Sequence, residues 1–419
     1  MLAAVRLLSS SPPESPRRIV LIDRERHPGG RLRVGGKGKD GGWGYGLSGI
    51  SRELYDFWNQ TFKADPDSTT DLGDLVTTRQ TDVGILSGSS ITKLPLSMIA
   101  SPKGARAMGG MAAQKQWPSV DEILASDAVK VERSGTAFAD AWKLPRKSPA
   151  TLVLEQFGPM LGIPDIWSAS ITALAERTAF QTGEIFSGDW TKAFDALLDR
   201  EIAAGRLVFA GSSRIADCDE ENGIWNLTTD GGVFRAKALV VAQPPWIATQ
   251  WLPKQYWPTA LLALASKTKP VSLVVLTEEI VATERPAELT DIVLIPAEGV
   301  QAIVTANQEI TFQATIDFEL SLQAPEVVKA VKRLKRARRK LAALLPHLMS
   351  ETNRIALVPV GWAQSPAHSE HRYIDRLDAA KDLATDKLGF CGDAYGSSWN
   401  GDRNVIHSVL ATCAAISGS

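Results

Sequence analysis

The chain has 419 residues, more than one ordinary hydrophobic core holds, so two domains are expected. Lys+Arg 46 against Asp+Glu 47 gives a formal net charge of -1, which argues against a dedicated nucleic-acid binder, while 44% hydrophobic and 22% charged residues describe a soluble globular protein. Cys218, Cys391 and Cys413 lie far apart with no CxxC pair, which excludes a disulfide framework and a zinc site and suits a reducing, cytoplasmic compartment.

Residues 2–10 read as the later part of a helix that stops at the proline-rich turn Ser9–Pro16. The run Ile19-Val20-Leu21-Ile22 follows as a strand buried on both faces, and Asp23 ends it. An acid at that place can accept hydrogen bonds from the ribose hydroxyls of an adenine dinucleotide. Gly29-Gly30-Arg31 then allows close backbone approach to a pyrophosphate, with the arginine supplying positive charge. Helix, strand and acid form the back half of a βαβ unit; its first strand and G-x-G-x-x-G turn are expected before Leu2 and are not in the sequence. The start Met1–Leu8 lacks a basic leader and reads as a packed helix instead of a signal peptide. A glycine-dense stretch at 35–49, with Trp43 and Tyr45 inside it, reads as a ligand-contacting loop, set against a flexible surface loop.

Helices are expected at 51–61, 119–126, 151–161 and after Ser187-Gly188-Asp189-Trp190. Strand material at Leu207–Phe209 and Ile215 leads to a hairpin, 224–229 and 233–236, around Asp230-Gly231-Gly232. A buried strand at 237–242 ends in Gln243-Pro244-Pro245. Further strands are expected at 271–276, 292–295, 302–305 and 310–316. A helix over 325–345 then carries Val327, Val328, Val331, Leu334, Leu341, Leu344 and Leu345 on one face. Lys329, Lys332, Arg333, Lys335, Arg336, Arg338, Arg339 and Lys340 form its cationic face, read as a solvated surface with room for a weak anionic-surface contact. The chain closes with a short strand at 388–391, Gly392-Asp393, a Gly/Ser/Trp loop and a helix over 402–416. No apolar run approaches the ~20 residues that span a bilayer, so no integral membrane segment is expected. His368 and His371 lack a completing carboxylate or cysteine, so no metal site is expected.

Three stretches together resemble the FAD-dependent amine oxidase superfamily, which includes phytoene and squalene desaturases and renalase-like enzymes. They are Asp23 with Gly29-Gly30-Arg31, Asp230-Gly231 through Ala242-Gln243-Pro244-Pro245, and Cys391-Gly392-Asp393 with Gly401 and Ser408. Trp362-Ala363-Gln364-Ser365-Pro366 resembles a fourth, weaker motif. The resemblance implies an α/β fold. An interrupted, Rossmann-like FAD/NAD(P)-binding domain would take 1–50, 205–250 and 384–419. An α+β substrate domain of mixed sheet and helices would take 51–204 and 251–383.

By the same resemblance Asp23 would hold the adenosine ribose, Gly29, Gly30 and Arg31 the pyrophosphate side, and backbone at Ser213 the adenine. Gly392 and Asp393 would meet the ribityl or pyrophosphate region. Gly401, Asn404 and Val405 would place a helix start against the flavin. Lys269 is the candidate for the lysine that many members carry near the flavin, set against an ordinary turn lysine. Tyr395 and Trp399 either shape a substrate cavity or pack in the core. The implied activity is hydride transfer from a small organic substrate to FAD, with reoxidation by oxygen or another acceptor. The alternatives are an isoprenoid desaturase, a renalase-like NAD(P)H oxidase, or a non-catalytic relative that has lost FAD binding.

Overall fold

The computed structural model describes residues 2–9, 17–26, 50–63, 79–80, 82–94, 185–187, 190–259, 261–262, 271–282, 284–304, 309–360, 383–393, 395 and 401–418. They form a mixed α/β chain of two compact units. One comprises Met1–Arg79, Phe186–Ser266 and Tyr373–Ser419; the other comprises Gln80–Ile185 and Lys267–Arg372. Strands and helices are numbered along the chain.

In the first unit α1 (Leu2–Ser9) precedes β1 (Ile19–Ile22), and β2 (Ile50–Ser51) runs into α2 (Arg52–Lys63). After β3 (Arg79–Gln80) the chain leaves this unit for β4 (Val83–Ser87) and β5 (Ser90–Leu94), and it returns through β6 (Ile185–Ser187), which lies between β2 and β3 in a small sheet. Then come α3 (Trp190–Ala203), β7 (Leu207–Ala210), β8 (Ile215–Glu221), β9 (Ile224–Thr229), β10 (Gly232–Ala236), β11 (Leu239–Val241) and α4 (Pro245–Ala248). Two parallel pairs carry the unit: β1 with β7, and β11 with β17 (Leu388–Phe390), which precedes α6 (Gly401–Ser417). β8, β9 and β10 form an antiparallel meander.

The eight-residue α1 is buried on two sides. Ala3, Val5 and Leu7 enter a core with Leu54, Phe57 and Trp58 of α2 and Val409, Cys413 and Ile416 of α6. Ala4 and Leu8 enter a second core with Leu198 and Leu207. Of these, Val5, Leu7 and Leu8 each contribute roughly 1.5–3 kcal/mol when fully buried.

The strand at Ile19–Ile22 forms, but it is not buried on both faces. Ile19 and Leu21 pack toward α1 and α3, whereas Val20 stays 45% exposed beside its partner Val208 at 57%. α2 and α3 pack with the first unit.

The second unit is a seven-stranded sheet in the order β16-β12-β15-β14-β13-β4-β5. Its strands are β4 (Val83–Ser87), β5 (Ser90–Leu94), β12 (Val271–Ile280), β13 (Ile292–Ile295), β14 (Val300–Val304), β15 (Glu309–Asp317) and β16 (Met349–Val360). All neighbours are antiparallel except β13 and β4. The helix α5 (Pro325–Leu344) covers this sheet through Val327, Ala330, Leu334, Ala337 and Leu341. That face differs from the expected one: alanines take two central places, and Val328 turns outward, 41% exposed. Val328 stands about 120° around the helix from Leu334, off the stripe that Ala330 and Ala337 complete.

The cationic face is not all solvated either. Arg338 pairs with the fully buried Glu278 of β12, and Arg336 and Lys340 both reach buried Glu298, at 2.7 and 2.6 Å. Burial is the largest single influence on the Glu298 carboxyl and pushes it up, but the two cations together outweigh it and hold the group below its ordinary range.

Candidate functional site

The first candidate group lies at the carboxyl ends of β1 and β7, the edge of a parallel sheet where ligands of α/β folds bind. There the two chain segments interlock. The Asp23 N–H donates to the Ala210 carbonyl at 3.1 Å, the Ser213 N–H to the Asp23 carbonyl at 2.9 Å, and the Ser212 N–H to the Glu25 carbonyl at 3.0 Å. Gly211 makes the approach feasible, since a Cβ there would stand 2.9 Å from the Arg26 carbonyl oxygen. Asp23 and Ser213, both expected on the adenosine side, are thus adjacent. One carboxylate oxygen of Asp23, Oδ1, accepts the Glu25 N–H at 3.0 Å, and Oδ2 has no hydrogen-bond partner among the described residues. Burial raises the Asp23 carboxyl above its ordinary value, and the Glu25 amide opposes this less strongly.

The second group lies at the carboxyl ends of β11 and β17. Gly389 lets α6 approach the strand, because a Cβ there would fall 2.4 Å from the Thr412 methyl. Gly392 follows with a φ of +137°, a conformation that side chains resist. Its N–H donates to Ser408 Oγ at 3.0 Å, and Ser408 Oγ donates to the Asn404 carbonyl at 2.5 Å. Asn404 Nδ2 donates to the Asp393 carbonyl at 2.9 Å. Gly392, Asp393 and Asn404 are therefore bound into one turn at the start of α6, with Gly401 opening that helix. Val405 packs on the core shared with α1 and α2.

The start of α6 is tied to α2 as well. The Ser51 N–H donates to Asp402 Oδ2 at 2.7 Å, and Ser51 Oγ accepts the Leu54 N–H at 3.3 Å, in the manner of a helix cap. Burial pushes the Asp402 carboxyl up, the Ser51 hydrogen bonds pull it back, and Asp393 and Glu53 add to the rise. Arg403 binds Glu53 with both Nε and Nη2, at 3.1 and 3.2 Å, and holds that carboxyl below its ordinary range. Sequence reasoning missed the Asp402–Ser51 link. Its signals were a serine three residues before Leu54 and an acid in the first turn of the last helix.

Tyr395 takes the core-packing alternative. It is fully buried against Phe390, with Trp257 on that ring's other contact, and its hydroxyl donates to the Gln243 carbonyl at 2.5 Å. Burial drives the phenol pKa well up. All three cysteines are free and buried, and burial pushes the Cys391 thiol to about 11. Gly29, Gly30, Arg31, Lys269, Trp399, His368, His371, the 35–49 loop, the helices at 119–126 and 151–161 and the 362–366 motif lie outside the described residues. Among the described residues no cluster of His, Cys, Asp or Glu is placed to hold a metal, and no helix is long and apolar enough to cross a membrane.

These parallel pairs, with a helix start at one carboxyl edge and an acid at the other, define a mixed α/β fold that solved oxidases share. A structure from Exiguobacterium sp. 255-15, provisionally named a protoporphyrinogen oxidase, matches 99% of this chain and 96% of its own at 14% identity, with a TM-score of 0.63. Cyclohexylamine oxidase from Brevibacterium oxydans IH-35A matches 100% and 96% at 14% identity and 0.60. Putrescine oxidase bound to putrescine matches 100% and 96% at 13% identity and 0.59. No protein-family model matches the chain, and no curated protein matches it in sequence.

Proposed function

We propose that the chain is an FAD-dependent oxidoreductase of the amine-oxidase-like type. It would move a hydride from a small organic substrate to flavin, with reoxidation by oxygen or another acceptor. The observation that carries this reading is the pair of strand-end groups in one unit: Asp23 with Ser213, and Gly392-Asp393 with the start of α6. The oxidase names of the fold neighbours favour the same class.

The residues present fit FAD. Asp23 offers Oδ2 to a ribose diol, and the backbone at Ser213 is held beside it for an adenine edge. Gly392 carries no side chain where a ribityl or pyrophosphate group would pass. The N–H groups that open α6 carry partial positive charge that would favour a flavin carbonyl placed there. When bound, the flavin supplies the hydride acceptor; the chain needs no nucleophile of its own. The protein's part is to bind, to orient and to hold the turn at Asp393 rigid through Asn404 and Ser408. The first unit is then the cofactor domain and the second, with its seven-stranded sheet, the substrate domain. Gly29, Gly30 and Arg31 belong to the pyrophosphate side, and Lys269 is the candidate flavin-side lysine. Buried free thiols agree with a cytoplasmic protein.

The test is anaerobic reduction of the FAD-loaded chain by a panel of primary amines and polyamines, isoprenoid polyenes and reduced nicotinamides. Bleaching of the flavin by amines, with hydrogen peroxide released on admitting air, supports the amine-oxidase type. Bleaching by NADPH alone assigns a renalase-like NAD(P)H oxidase. Loss of the amine-driven step in Lys269→Met, with FAD still bound, would give that lysine its role.

A further inference from the structure

The outward pole of α5 carries Lys332, Lys335 and Arg339, opposite the buried Val327, Leu334 and Leu341. None of the three has a carboxylate partner among the described residues, although Lys329, Arg336, Arg338 and Lys340 around them all do. Arg339 only touches the Lys335 carbonyl, at 3.4 Å. Three uncompensated cations therefore stand on one ridge about 10 Å long, seven residues of helix.

An anionic bilayer is a poor occupant, because the apolar face of α5 is already spent on the sheet and cannot enter lipid. A matching acidic stripe exists on the chain itself. On β8, one of the two edge strands of the meander, Asp217, Asp219 and Glu221 alternate onto one face and are exposed. They span about 13 Å, and no cation pairs with any of them among the described residues. Each stripe also has an exposed valine at one end. Val328 precedes Lys332 by one turn of α5, and Val233 sits in the cross-strand row of Thr228 and Asp217.

We propose that the α5 ridge is a docking surface for a second copy of this chain, whose β8 face brings Asp217, Asp219 and Glu221 against Lys332, Lys335 and Arg339. The pairs are exposed, so the contact is weak, dependent on salt and fastest to form at low ionic strength. It is independent of the flavin reading.

Sedimentation velocity of the full chain tests it. Association is expected at about 0.01 M salt, weakening at least about tenfold by about 0.1 M as the Debye length falls from ~30 to ~10 Å. The triple variant K332E/K335E/R339E and the triple variant D217K/D219K/E221K should each run as single chains with unchanged circular dichroism. Their equimolar mixture should associate again, since every ridge then meets the opposite charge. A wild-type chain that stays single at low salt overturns the proposal. So do variants that associate as the wild type does, or folded variants whose mixture stays single. Pelleting of a single-chain wild type with phosphatidylserine vesicles would assign the ridge to a bilayer instead and overturn it as well.

Discussion

At the scale of single residues, the site is held by a few buried polar contacts with distinct costs. Ser408 bonds the Gly392 N–H and the Asn404 carbonyl while fully buried, so Ser408→Ala leaves that amide without its acceptor. A destabilisation of about 1–3 kcal/mol in urea unfolding is expected. FAD affinity should fall with it, since the turn at Asp393 loosens. Asp402 behaves differently. Its folded carboxyl is raised by burial, so the native state binds the proton more tightly than the unfolded chain does. The stability this contributes is full below the unfolded carboxylate range and is lost as pH rises through the raised folded value. Asp402→Asn keeps an oxygen for the Ser51 N–H and removes the charge. Its melting temperature should exceed the wild type's at neutral pH and converge with it near about pH 3. A variant less stable at neutral pH than at acid pH, relative to wild type, contradicts the burial argument.

At the scale of elements, much was legible in sequence, and what was not has physical reasons. The hairpin around Asp230-Gly231-Gly232 and the strands at Ile292–Ile295 and Glu309–Asp317 appear nearly where apolar runs and turn residues place them. β16 escaped notice because its first half carries Glu351 and Asn353 and its end contains Pro359, all weak strand formers. It is nonetheless paired along β12, and an edge position tolerates the proline. β4 and β5 hid behind the Gly88-Ser89 turn. On α5, periodicity identified a helix but misplaced its stripe, because Ala330 and Ala337 carry packing that a hydrophobic count underweights. The same helix holds Glu278 through Arg338. Arg338→Ala strips a buried carboxylate of its guanidinium and should cost about 3–5 kcal/mol, read by chemical denaturation. Lys335→Ala, on the outward pole, should change stability by less than about 0.5 kcal/mol.

Between elements, Gly389→Ala would push a methyl into Thr412 and prise α6 from β17. A loss of about 1–3 kcal/mol is expected, with partial recovery in the double variant with Thr412→Ser, which removes the clashing methyl. Recovery of stability with recovery of FAD affinity would tie α6 position to the cofactor. Recovery of stability alone would separate the two.

For the whole molecule, the proposed cofactor role joins the acid-tipped strand and the Gly-Asp turn. Sequence order alone could not show that Asp23 meets Ser213, or that Gly392 meets Ser408, since residues 190 and 16 apart touch only through parallel pairing and the final helix. Composition spoke only for a globular chain, and the cofactor was what the resemblance of three stretches implied. The contacts arise from tertiary packing that no local pattern encodes. The measurement that tests the account most directly is FAD content and affinity of the full chain beside its Asp23→Ala variant. Wild-type protein is expected to be yellow or to take up about one FAD per chain on reconstitution. The variant should bind at least about tenfold more weakly, as the loss of charge-assisted ribose hydrogen bonds implies. A folded wild-type chain that stays colourless and takes up no FAD would contradict it.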